Sequence, residues 1–126
     1  MENDIKVLQK TNNIDSKVMG ILLEIGISAN LQGYQFLRES IKLVIENPLY
    51  ISAITKRMYP QVAETFNTTA CRVERGIRHA IDVSFNKGKM VNINKIFGLN
   101  VLGNNERPTN SEFVALVADR LALEFC

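Results

Sequence analysis

Histidine occurs once in this 126-residue chain, cysteine twice and proline three times. Each shortage excludes something. Cys71 and Cys126 have no second pair and no nearby histidine, so neither a disulfide framework nor a zinc site is expected, and a reduced cytoplasmic setting fits. His79 stands without an evident nucleophile or metal partner, and the glycines fall mainly at connectors instead of forming a phosphate-cradling loop. An enzyme is therefore not expected, and neither is a cofactor. The N-terminal MENDIKVLQK has no apolar signal core, and no run elsewhere reaches membrane length, so no membrane partner is expected. Excess charge is scarce too: the formal net charge is only +2, a small value for a chain that binds a polyanion.

What the chain does hold is apolar mass and a local concentration of cations. With 46% hydrophobic residues it can bury a core as a single domain without metal or disulfide support. The stretch from Pro60 to Lys87 organises the rest. A short helical pattern, with Val62, Ala63 and Phe66 on one face, stops at Asn67-Thr68-Thr69, whose side chains compete for backbone groups and favour helix ends. Thr68 or Thr69 can offer an oxygen to the free amides of a second helix. In that helix Val73, Ile77, Ala80, Ile81 and Ser84 recur at helical spacing and form the face expected to be buried. On the other side Arg72, Arg75 and His79 form a row at i, i+3 and i+7, flanked by Arg78. This is the pattern of a helix-turn-helix.

A helix with its side chains fits the major groove of DNA, and residues near its N-terminus reach base edges. Arg72 and Arg75 can each donate two parallel bonds to guanine, and Glu74 can accept from a cytosine amino group, so these three are the expected base readers. Glu74 also lies nearer the apolar edge than either arginine, where it can instead buffer Arg75 or Arg78. Arg78, His79, Thr68 and Thr69 are the expected contacts to the DNA backbone. Arg72, Arg75, Arg78, Lys87 and Lys89 stand against Glu74 and Asp82 in this segment, so binding is expected to weaken as salt rises. The competing reading is a helical protein-interaction module whose basic helix meets an acidic protein surface without selecting a DNA sequence.

Outside this centre the pattern is helical throughout. Residues 1–13 are polar and weakly patterned, a linker or disordered segment, with the domain running over 14–126. Ile14, Val18, Ile21, Leu22 and Ile25 share one face, closed by Gly26. After a connector over 28–33, Tyr34, Phe36, Leu37, Ile41, Val44 and Ile45 form a second core helix that ends at Asn47-Pro48. Leu49 to Tyr59 continues helically through Ile51, Ile54 and Met58, with a bend or break at Pro60, which suits a first helical turn. Beyond Gly88, Val91 to Phe97 is a short amphipathic segment ending at Gly98. Arg107-Pro108-Thr109-Asn110-Ser111-Glu112 opens the last helix, with Thr109 and Glu112 spaced as a capping box and Phe113, Leu116, Val117, Leu121 and Leu123 on its buried face. Arg107, beside that positive helix start, is a candidate phosphate contact. The fold class expected is all-α, a compact bundle of about six helices containing a helix-turn-helix.

The runs FNTTACRVERGIRHAID, SAITKRMYP, RPTNSEFVALVADRL and EIGISANLQGYQFLRESI, which occur in family order between Ile14 and Glu124, resemble the C-terminal effector domains of the stage zero sporulation protein A family. These are response regulators that govern sporulation. The resemblance implies a DNA-binding transcription regulator, activator or repressor, that recognises a box resembling TGTCGAA and contacts an RNA polymerase sigma factor. It places the sigma-contacting surface around Gly88, Lys89, Asn92 and Lys95. Side-by-side self-association on tandem boxes and a cytoplasmic, nucleoid-associated location are also expected. Family effector domains follow a phosphoacceptor receiver domain, for which the residues ahead of Ile14 leave no room. The chain is therefore read either as an isolated effector domain, the favoured reading, in which a phosphorylation switch belongs to its parent protein, or as a natural protein lacking a receiver.

Overall fold

The computed structural model describes the backbone of residues 2–125 and the side chains of residues 13–124. Helix α1, Glu2–Glu24, turns Ile14, Val18 and Leu22 into the core. Its C-terminus closes as the spacing predicts: Gly26 takes φ +86°, the Gly26 amide donates to the Leu23 carbonyl, and the Ile27 amide donates to the Leu22 carbonyl at 2.9 Å. The stretch 1–13, read as a linker, has helical backbone from Glu2 onward. A helix already nucleated elongates through backbone bonds alone, so a helical stretch need not show an apolar face in its sequence.

Helix α2, Gln32–Glu46, takes in the last two residues of the expected connector and buries Tyr34, Phe36, Leu37, Ile41 and Val44. Asn47 ends it, its Oδ1 accepting from the Leu49 amide at 3.2 Å, ahead of Pro48. From there the expected helical continuation differs in kind. Pro48–Ala53 is a 3₁₀ turn and Ile54–Met58 a π-helical one, closed by the Tyr59 amide on the Ile54 carbonyl. A proline ring inside a regular α-helix clashes with the carbonyl four residues back. The wider π turn relieves that conflict at Pro60, so the chain changes pitch there without breaking. Ile54, Met58 and Tyr59 remain anchored in the core.

Helix α3, Tyr59–Thr65, and helix α4, Ala70–Asn86, form the helix-turn-helix, and a 3₁₀ turn, Met90–Asn92, leads into the short α5, Ile93–Phe97. Helix α6, Asn110–Phe125, completes an all-α bundle of six helices with no strand among the described residues. Helix α2 is the central element and packs against α1, α3, α4 and α6. Its crossing with α4 is close because Gly33 meets Gly76: a Cβ at Gly33 would overlap the Gly76 carbonyl oxygen, and one at Gly76 would lie 2.8 Å from the Phe36 ring.

Leu22, Leu37, Met58, Ile77, Ile81, Phe113 and Leu121 are fully buried, each worth about 1.5–3 kcal/mol over an exposed position. The two buried serines are both satisfied. Ser40 donates to the Phe36 carbonyl at 2.7 Å, and Ser84 donates to the Ile25 carbonyl at 2.6 Å, which ties α4 to the end of α1. Leu123, expected on the buried face of α6, is instead 72% exposed. At about 100° per residue it falls opposite the stripe of Phe113, Val117 and Leu121, and Val114 and Ala118 fill the core side in its place.

Candidate nucleic-acid interface

The turn between α3 and α4 is built by the residues that mark it in the sequence. Asn67 adopts the left-handed conformation at φ 53°, its amide donates to the Glu64 carbonyl at 3.3 Å, and the Thr68 amide donates to the Ala63 carbonyl at 2.9 Å. Asparagine tolerates that backbone better than most residues. Of the two threonines it is Thr69 that caps α4, its Oγ1 accepting from the Arg72 amide at 3.2 Å. Phe66 packs edge-on against Phe36, with ring centroids 5.4 Å apart, and anchors the turn to α2.

Helix α4 buries Val73, Ile77, Ala80, Ile81 and Ser84, the five residues its periodicity selects. Arg72, Arg75, Arg78 and His79 are all exposed. The side chains of Arg72 and Arg75 have no hydrogen-bond or salt-bridge partner among the described residues, so their donors face outward uncommitted. Glu74 is half-buried, and its carboxylate receives the Arg78 guanidinium at 3.1 Å, the buffering arrangement its angular position allows.

Arg107 is placed differently from its expectation as an open phosphate contact. Its Nε pairs with the Asp82 carboxylate, one Nη donates to the Pro108 carbonyl at 3.1 Å, and the other donates to the Arg78 carbonyl at 3.3 Å. The guanidinium thus grips the flank of α4. Thr109 caps α6 as predicted, its Oγ1 accepting from the Glu112 amide at 3.1 Å, while the return bond of a full capping box is absent among the described residues. Asn110, which the sequence reading passed over, donates to the Glu74 carbonyl at 3.1 Å and to the Tyr59 hydroxyl at 3.2 Å. Burial raises the Tyr59 hydroxyl above its ordinary pKa, with the Asn110 bond opposing and the Glu74 carboxylate reinforcing the shift. These bonds join residues 25 to 51 positions apart, so no local pattern announces them.

Residues 18–121 match the model of a family described as the C-terminal domain of the sporulation initiation factor Spo0A. The chain belongs to this family. It is a sporulation DNA-binding transcription regulator domain and not an enzyme. Among the described residues no helix is long and apolar enough to cross a membrane, and no cluster of three or more metal-ligating side chains occurs.

The second surface expected of a Spo0A effector domain lies at the other end of α4. Gly88 takes φ +71° and ends the helix, with its amide on the Phe85 carbonyl and the Lys89 amide on the Ser84 carbonyl. The Lys89 stem lies over Gly26, where a Cβ would come within 2.7 Å of it. Asn92 donates through Nδ2 to the Glu24 carbonyl at 3.0 Å, and Lys95 is exposed on α5. The fold therefore brings Lys89 and Asn92 beside the end of α1, with Gly88 next to Lys89 in the chain and Lys95 one turn beyond Asn92.

Proposed function

We propose that this Spo0A effector domain recognises a TGTCGAA-like box by inserting the N-terminal half of α4 into the major groove. The observation that carries this reading is the outward row of Arg72 and Arg75, with donors uncommitted among the described residues, on a helix held by a capped turn. Arg72 and Arg75 read guanines through paired donors. Glu74 reads a cytosine amino group after exchanging Arg78 for the base. That exchange is inexpensive, because a solvent-exposed i,i+4 pair contributes only about 0–1 kcal/mol. Arg78 then joins His79, Thr68 and Thr69 at the phosphates.

The region of Gly88, Lys89, Asn92 and Lys95 contacts an RNA polymerase sigma factor in this reading, and copies of the domain associate side by side on tandem boxes. The setting is the cytoplasm, at the nucleoid. The test is a titration against a duplex carrying TGTCGAA and against a scrambled duplex of equal composition, both near physiological salt. A clear preference for the box is expected. Equal, weak, salt-sensitive binding would instead leave only a basic helix suited to an acidic protein surface.

A further inference from the structure

Resting on that reading of α4, we infer that Arg107 and Asn110 are positioning residues for DNA recognition, which set the rotation of α4 from its flank and do not touch DNA. Apolar burial through Val73, Ile77, Ala80 and Ile81 holds α4 against the core, and Ser84 bonds its C-terminal half to the Ile25 carbonyl, but neither gives the N-terminal half a directional bond. Directional bonds from the start of α6 supply what is missing. Asn110 donates to the Glu74 carbonyl, and Arg107 donates to the Arg78 carbonyl one turn further along and to the Asp82 side chain another turn on. Glu74, Arg78 and Asp82 form an i, i+4, i+8 stripe beside the Arg72, Arg75 and His79 row. A backbone carbonyl has two lone pairs, so these bonds add to the helix ladder without breaking it.

The same clamp spans the helix-turn-helix. The Asn110 amide also donates to the hydroxyl of Tyr59, the first residue of α3, so one side chain ties both helices of the motif together independently of the turn between them. Paired arginine-to-guanine bonds tolerate only a few tenths of an ångström. A modest rotation of α4 displaces arginine tips by on the order of 1 Å, enough to lose such a pair. A guanidinium whose Nε and both terminal nitrogens are engaged within the protein is poorly placed to give a phosphate much more.

The two roles for Arg107 predict opposite behaviour. The test compares wild type, Arg107→Gln, Arg107→Lys, Asp82→Asn and Asn110→Ala on the TGTCGAA and scrambled duplexes across a salt series, at a temperature where melting curves show every variant folded. For a clamp, each variant lowers the ratio of box to scrambled affinity by about tenfold, the scale of one weakened paired contact. Arg107→Lys then fails as Arg107→Gln does, because an ammonium lacks the fork that reaches Asp82 and two carbonyls at once. Asp82→Asn lowers the ratio although it removes a negative charge near DNA, and the salt slopes stay at the wild-type value.

A phosphate ligand behaves otherwise. Arg107→Lys would match wild type, Arg107→Gln would weaken both duplexes alike with a shallower salt slope, and Asp82→Asn would strengthen both; that pattern overturns the clamp. Variants that melt lower but keep the wild-type ratio would overturn it too, by reducing the contacts to stability alone. A wild-type domain with no preference for the box would remove the base-reading role itself and the clamp with it, whereas a preference retained in all four variants removes only the clamp.

Discussion

Arg75 and Arg78 stand three residues apart on α4, yet their surroundings separate their roles. Arg75 is exposed without a partner among the described residues, whereas Arg78 holds the Glu74 carboxylate. Arg75→Ala is expected to cost about 1–3 kcal/mol on the TGTCGAA box and to relax preference at one position. Arg78→Ala should weaken cognate and scrambled duplexes alike and make the salt slope shallower by about one phosphate contact. Parallel titrations of the two variants separate these outcomes, and equal losses on both duplexes for Arg75→Ala would remove its base-reading role.

Tyr59 offers a test of the α3 side of the motif. Its hydroxyl prefers the neutral form in the folded state, chiefly because it is buried. The folded pKa lies above the unfolded one, so the native state holds the proton more tightly, and this contribution is complete below the ordinary tyrosine value of about 10. It is lost as the pH rises from there through the folded pKa. Urea unfolding at pH 9 and pH 11 should therefore show a larger alkaline loss of stability in wild type than in Tyr59→Phe, a comparison in which the lysine titrations common to both proteins cancel. Tyr59→Phe should itself be somewhat less stable at pH 9, since Asn110 loses an acceptor. The outward row of α4 is legible in the sequence, because period alone decides which side of a helix faces water. The partners of Arg107, Asn110 and Tyr59 are not, because they meet only when α6 returns across the motif.

At the scale of elements, the crossing of α2 and α4 sets how deeply the recognition helix is seated. Gly33→Ala would press a methyl group into the Gly76 backbone, which cannot yield without moving α4, whereas Gly76→Ala meets the edge of the Phe36 ring, which can shift. Both should destabilise, Gly76→Ala by about 1–3 kcal/mol and Gly33→Ala by more, as chemical denaturation would show. A smaller loss for Gly33→Ala would mean that the helices separate easily. The turn offers a second check: Asn67→Gly should be nearly neutral, and Asn67→Val should cost about 1–2 kcal/mol, because a β-branched residue resists the left-handed conformation. The ends of α1, α3 and α4 are legible because each rests on a glycine or asparagine suited to positive φ. The pitch changes between Pro48 and Met58 are not, since an apolar residue every three or four positions fits 3₁₀, α and π turns alike.

At the scale of the whole molecule, a net charge of +2 understates the affinity for a polyanion, because the fold gathers Arg72, Arg75, Arg78 and His79 on one face of α4. Affinity for any duplex should fall linearly in a logarithmic plot against salt, with a slope of about −0.9 for each phosphate neutralised. A binding constant indifferent to salt would contradict a phosphate-facing helix. The all-α class, the helix-turn-helix and its cationic face, and most of the core were determined by sequence alone, since helical period, capping residues and turn formers act over a few neighbouring positions. Only the tertiary structure decided that Arg107 grips α4 and that Asn110 bridges both helices of the motif. Those outcomes depend on the angles at which helices dock, and docking angles follow from side-chain shapes meeting across the core from distant parts of the chain.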